Sequence, residues 1–223
     1  MNMPSHTTAT PLATIRANIA QSEKIAKRPA GSTTLIAISK TKPTDAIEDL
    51  IEQGQRVFGE NRVQEAEAKF PDLRARYPDL ELHMVGQLQS NKANEAVALF
   101  DYIHSLDRIS LAKALAAAMD KAARRVPCFI QVNIGEEEQK GGCAITDLPQ
   151  FLEQVRALDL PVIGLMAVPP ADVEPSPYFA LLAKLARDNG LDQLSIGMSG
   201  DYETAVRIGA THVRIGSALF GAR

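Results

Sequence analysis

Two stretches far apart in the chain carry the residues best suited to chemistry. In LIAISKTKP, residues 35 to 43, an apolar run ends on Lys40. An amine held at the edge of an apolar core is poorly solvated as a cation and serves as a nucleophile toward an aldehyde. Lys42 lies beyond the run, beside Pro43, and is secondary. In LSIGMSGDYETAVRIGATHVRIGSALFG, residues 194 to 221, one apolar run ends in Ser199-Gly200 and the next in Arg214-Ile215-Gly216-Ser217. Free amides and hydroxyls of such turns hold phosphate, often beside a helix start. The helix end contributes only about 0.3 to 1 kcal/mol toward an anion. Ser199, Gly200, Gly216 and Ser217 must therefore supply most of the binding. Taken singly, a strand-end lysine reaches solvent and a Gly-Ser turn is only a turn. An amine facing a phosphate cradle is more specific.

Positioning them is the work of alternating elements. β-rich runs at 33–39, 56–60, 80–86, 102–106, 127–134, 161–168, 194–198 and 212–216 alternate with amphipathic stretches, without a linker or low-complexity tract. That is the pattern of a parallel α/β fold, and eight strands is the number that closes a (β/α)8 TIM-type barrel. A further amphipathic segment, 12–28, precedes the first strand and is expected to cover the seam between strands one and eight. Ile47, Leu50 and Ile51 fall at helical spacing, as do Phe179, Leu182 and Ala183. Thr44 reads as an N-cap and Gly54 as a stop. An open doubly wound sheet is the competing architecture, but no G-x-G-x-x-G or Walker loop accompanies it. In a barrel the functional face is the carboxyl end of the strands, where loops seven and eight commonly hold phosphate opposite the first strand's end.

Composition removes other classes. Twenty-four Lys and Arg against 27 Asp and Glu leave a net charge of -3, which gives no polyanion-binding surface, so nucleic acid is not expected as a partner. Cys128 and Cys143 form neither a C-x-x-C pair nor a disulfide framework, and the four histidines have no metal-ligand spacing. MNMPSHTTAT lacks the marks of an export signal, and no apolar run approaches the roughly 20 residues of a membrane span. The expectation is a cytoplasmic monomer: a disordered tract, 1–10, then one barrel domain, 11–223. Glu60 and Asp107, both near strand ends, can be read as a glycosidase carboxylate pair. The absence of tryptophan as a sugar platform argues against it.

The amine and cradle together suit pyridoxal 5'-phosphate (PLP), whose aldehyde condenses with a lysine while its phosphate docks across the mouth. AISKTKP, FGENRVQEAEAKF, HMVGQLQSNK, QVNIGEEEQKGG, GLMAVPP, SIGMSGD and HVRIGSALFG occur in this order, and together they resemble the YggS/PROSC family of PLP homeostasis proteins over residues 12 to 221. The resemblance implies a barrel like the N-terminal domain of alanine racemase, a fold-type III PLP barrel, with a Schiff base on Lys40. It implies that Ser199 and Gly216 hold the phosphate, that Asn61 lies beside the cofactor, and that Met166 packs near the ring, where a thioether contact contributes about 0.3 to 1.5 kcal/mol. It also places Arg214 near the pyridine nitrogen, where a permanent cation disfavours protonation and weakens the ring as an electron sink.

Racemisation needs a second acid-base group, in alanine racemase a tyrosine from an additional β domain. None of Tyr77, Tyr102, Tyr178 and Tyr202 ends an expected strand, and the sequence stops at Arg223 after its eighth strand. The expected function is reversible holding of PLP, for homeostasis and supply to PLP-dependent apo-enzymes, without efficient catalysis. Two alternatives are a fold-type III racemase or decarboxylase of low activity, and an aldolase whose Lys40 attacks a phosphorylated sugar. GEEEQKGG, 135–142, reads as a solvated mobile loop; the resemblance gives its Lys140 a part in passing cofactor outward.

Overall fold

A computed structural model of the chain describes residues 9–221. Helix α1 (Pro11–Ile25) precedes eight strand-helix units: β1 (Thr34–Ile38), α2 (Thr44–Glu52), β2 (Val57–Glu60), α3 (Val63–Arg76), β3 (Glu81–Met84), α4 (Ala93–Leu99), β4 (Tyr102–Leu106), α5 (Ile109–Ala122), β5 (Cys128–Gln131), α6 (Leu148–Ala157), β6 (Val162–Met166), α7 (Ser176–Asp188), β7 (Gln193–Ser195), α8 (Tyr202–Ile208), β8 (His212–Ile215) and the short α9 (Ser217–Phe220). The strands are all parallel and close in sequence order, with β1 paired to β8 from Thr34↔His212 to Ala37↔Ile215. The expected barrel is therefore present, with several strands shorter than their apolar runs. After Gln131 the chain leaves the ladder because Val132 and Asn133 turn to pair with Cys143.

Period-2 alternation divides each strand between two environments. Leu35, Ala37, Phe58, Leu82, Ile103, Ile130, Leu165 and Val213 face outward into the shell of apolar residues beneath the helices. The opposite faces fill the barrel's interior, which is unusually polar. His83 stacks on Tyr102 with ring centroids 4.5 Å apart, His104 stacks on Phe129 at 4.3 Å, and His212 stands edge-on to both His104 and Phe129.

The first helix starts where Thr10 accepts the Ala13 amide, and it stops in a left-handed residue, Lys27, that lets Arg28 N–H reach Glu23 O. Of the tract 1–10 expected to be disordered, residues 1–8 lie outside the described residues. α1 packs on α8, and its Arg16 donates to Gly54 O beyond the end of α2, so the helix spans the outside of the β1–β8 seam. Gly54, at φ +88°, is the expected stop. Thr44 is not the cap: Pro43, fixed in extended backbone, precedes the helix and Thr44 is its first residue.

Gly164 is where the barrel wall has least room. A Cβ there would meet Gln193 O, its partner on β7, at 2.1 Å. Gly164→Ala is expected to push these strands apart, lowering stability by about 1 to 3 kcal/mol. At about 2 to 4 °C per kcal/mol for a chain this size, thermal unfolding followed by circular dichroism reads the change. A melting temperature equal to the parent's would show that the wall spreads freely.

Candidate functional site

Lys40 follows Ile36 and Ile38 on the inward face of β1, where both isoleucines close over Gly59. Its direction is fixed by neighbours that point the other way. Ser39 turns outward and donates to Glu60 Oε1 at 2.7 Å, and Lys69 of α3 donates to Ser39 O, Glu60 Oε1 and Glu65 Oε1. Glu65 in turn accepts the amide of Thr41. That residue is β-branched yet sits at φ +61°, a strained backbone that the carboxylate holds in place. The turn closes with Lys42 N–H on Ser39 O. Among the described residues the Lys40 amine has no hydrogen-bond or ion-pair partner.

The amine enters a cavity of about 560 Å³ at the carboxyl end of the barrel. Lys40, Asn61, Ser199, Gly200, Arg214, Gly216 and Ser217 all line it, so seven expected site residues from both ends of the chain meet in one place. Asn61 gets there because Gly86, lacking a Cβ, lets its backbone pass; an added Cβ would meet Asn61 O at 2.3 Å. Met166 is buried inside β6 and is not one of the cavity's lining residues. Ser199 Oγ accepts the amides of Gly216 and Ala218, both at 3.3 Å, and thereby draws loops seven and eight together. Gly200 leaves the wall bare, since a Cβ there would meet no atom within 4 Å.

Arg214 is 6% exposed, and its guanidinium donates to Ser195 O and Oγ, both at 2.6 Å, and to Ala167 O at 3.0 Å. Burial brings it down to about 10, with Asp201 partly opposing, so it remains a cation at neutral pH. Among the described residues, three cations and no carboxylate line the cavity. The mouth is thus positive in a chain whose net charge is -3.

Lys42 also lines the cavity, whereas the remaining candidates lie elsewhere. Lys42 donates to Phe220 O at 3.2 Å and ties down the C-terminal turn. Lys140 pairs with Glu137 and donates to Pro169 O, over a neighbouring cavity that shares Val168, Met198 and Gly200 with the mouth. Glu60 and Asp107 do not form a pair at the mouth. Glu60 is fully buried against α3, and Asp107 binds Arg108. The sequence reading missed the support around Lys40, from Lys69 and Glu65, and the interior histidines. The first had a signal in the i, i+4 spacing of Glu65 and Lys69 on one helix.

These features define a parallel (β/α)8 barrel whose mouth sets a free amine across from a Ser- and Gly-lined anion cradle. The family model described as "Alanine racemase, N-terminal domain" matches residues 11–223. The pyridoxal phosphate homeostasis protein of Pseudomonas aeruginosa is 40% identical over 223 residues, covering 97% of this chain and 96% of that one. Its Escherichia coli counterpart is 38% identical, with 95% of each chain covered. The structure of PipY from Synechococcus elongatus with PLP bound is similar at a TM-score of 0.79, with 38% identity over 91% of this chain and 100% of that one. The chain belongs to the family of pyridoxal phosphate homeostasis proteins, built on the alanine racemase N-terminal domain fold. No described helix is long and apolar enough to cross a membrane.

Proposed function

We propose that this chain binds PLP at the barrel mouth as a reversible Schiff base on Lys40, and holds it for supply to PLP-dependent apo-enzymes rather than turning over a substrate. The observation that carries this reading is an amine that, among the described residues, is unpartnered, on a cavity to which those residues also bring a buried guanidinium and the Ser199–Gly216 loop pair but no carboxylate. That donor set suits a phosphorylated aldehyde. Ser199, Ser217 and the amides of Gly200 and Gly216 would hold the phosphate, Lys40 the aldehyde carbon, and Arg214 would face the ring nitrogen with Asn61 alongside. The structure of PipY with PLP bound supports the cofactor part of this reading.

The bound cofactor supplies an electrophilic carbon and an electron sink. This chain's residues limit the second. Arg214 uses three of its five N–H donors on Ser195 and Ala167 and keeps its charge at neutral pH, so toward the ring nitrogen it would offer a hydrogen bond and not a proton. None of the four tyrosines is among the cavity's lining residues; Asn18 donates to the Tyr202 hydroxyl, and Tyr102 stacks on His83. Two buried free cysteines suit a reducing compartment, the cytoplasm.

Borohydride reduction of the protein after incubation with PLP, followed by peptide mass mapping, tests the reading. A phosphopyridoxyl group on Lys40 is expected, with its yield falling as inorganic phosphate is added. An unmodified Lys40 would leave the aldolase reading of that amine, and sustained turnover of alanine or serine would overturn the non-catalytic part.

A further inference from the structure

Beneath Arg214 the barrel axis holds a continuous run of hydrogen bonds that ends at the opposite rim. Ser195 Oγ, which accepts from Arg214, lies 2.8 Å from His104 Nδ1. His104 Nε2 lies 2.8 Å from His83 Nδ1, and His83 Nε2 lies 2.8 Å from Glu81 Oε1. Ser195, His104 and His83 are fully buried, whereas the Glu81 side chain is 38% exposed at the amino end of β3.

Both ends force one direction on the run. A carboxylate only accepts, so His83 Nε2 must carry a proton. With that ring neutral, its Nδ1 is an acceptor, and His104 must donate from Nε2 and accept at Nδ1. From the other end, Arg214 already donates to Ser195 Oγ, and the hydroxyl hydrogen has no acceptor among the described residues except His104 Nδ1. The same tautomer of His104 results. Every donor therefore points from the guanidinium toward the carboxylate, and bonds aligned in this way polarise one another.

We propose that Ser195, His104, His83 and Glu81 form a one-way positioning relay for Arg214, which fixes the hydroxyl against which the guanidinium is seated and links the mouth to the far rim of the barrel. The relay requires neutral rings. His83 faces Glu81, Asp101, Tyr102, His104 and His212, and His104 faces His83, His212 and Arg214. Burial holds all three histidines below the ordinary range, His212 at about 3, with the neighbouring cation and rings adding to the effect on His104 and His212. The nitrogens serve one another rather than a metal. No three His, Cys, Asp or Glu groups among the described residues are placed to hold an ion.

The tautomer pattern stands apart from the cofactor; its consequence for the cofactor rests on the reading proposed above. Long-range proton-nitrogen correlation on 15N-histidine protein without PLP is expected to show His83 and His104 as neutral Nε2–H forms at pH 7. A doubly protonated ring or an Nδ1–H form at either position would overturn the proposal. Glu81→Leu removes the terminal acceptor at the rim while the Ser195 end still fixes the tautomer, and the Nε2–H proton resonances of His83 and His104 are then both expected to move upfield as their hydrogen bonds weaken. An unchanged His104 would mean that the run transmits nothing. With PLP added, Ser195→Ala is expected to move the visible absorption of the trapped species' unreduced form, and Ser195→Thr to restore it. The same band in all three, with normal trapping on Lys40, would remove the relay's role at the mouth. No trapping in the parent would instead refute the cofactor reading and leave the tautomer result to decide the relay.

Discussion

Lys40→Ala is expected to keep its fold and lose the cofactor. Because the Lys40 amine has no partner among the described residues, truncation strands no buried group, and the melting temperature should stay within about 2 to 4 °C of the parent's, the equivalent of about 1 kcal/mol. Binding is another matter. Without a covalent bond the mouth keeps only its phosphate and ring contacts, and retention of PLP through equilibrium dialysis should fall at least roughly 100-fold, about 2.8 kcal/mol. Lys42→Ala is the control. Its amine is engaged with Phe220 O, so its loss loosens the C-terminal turn but leaves the adduct on Lys40. An equal yield of reduced adduct from Lys40→Ala, on Lys42 or any other lysine, would move the attachment point and refute the assignment.

The parts of this site that were legible in the sequence are those that repeat a local rule. A buried strand has a recognisable apolar run, its last residue lies at the functional end, and parallel topology brings strand one beside strand eight. Lys40, Ser199 and Gly216 follow from those facts, whereas the place of Arg214 beside the ring came only with the resemblance. What was not legible depends on which face of a strand a residue takes. Counting in twos from Lys40 places Ser39 outward, and Gly59 inward on β2 turns Glu60 toward α3. That parity alone dissolves the pairing of Glu60 with Asp107. The same count on ELHM and YIHSL puts Glu81, His83, Tyr102 and His104 on one face, yet a barrel interior is ordinarily apolar and the residues of the two strands are about 21 positions apart. Their meeting is a property of the closed sheet. Met166, which the resemblance placed near the ring, is buried on the interior face at the end of β6, in register with Ser195 of β7.

Replacing Lys69 is expected to have the largest effect on stability, although the residue touches no part of the cavity. Its amine neutralises Glu60, whose Oε1 accepts from it at 3.0 Å and whose Oε2 has no partner among the described residues. Lys69→Met leaves a fully buried carboxylate with only Ser39 to stabilise it. Breaking a buried pair in this way costs about 3 to 5 kcal/mol, or on the order of ten degrees in melting temperature. The pH dependence has a definite sign. Burial raises the Glu60 carboxyl, while Ser39 and Lys69 pull it back. Without Lys69 it rises further. A carboxyl raised in the folded state stabilises the fold below its unfolded value, about 4.3, and loses that stabilisation as pH climbs through the folded one. The deficit of Lys69→Met should therefore be largest at neutral pH and shrink on acidification. Adding Glu60→Gln removes the stranded charge while keeping an acceptor for Ser39, and should recover a large part of the loss at neutral pH. Denaturant unfolding of the single and double variants at several pH values measures both effects. A deficit that does not change with pH, or a double variant no more stable than the single, would show that Lys69 acts through packing instead of charge. Ser39 and Thr41, the residues this cluster grips, flank Lys40 on either side. The same variant at low temperature, folded but unlatched, should give a reduced yield of trapped adduct, because the amine is then no longer aimed at the mouth.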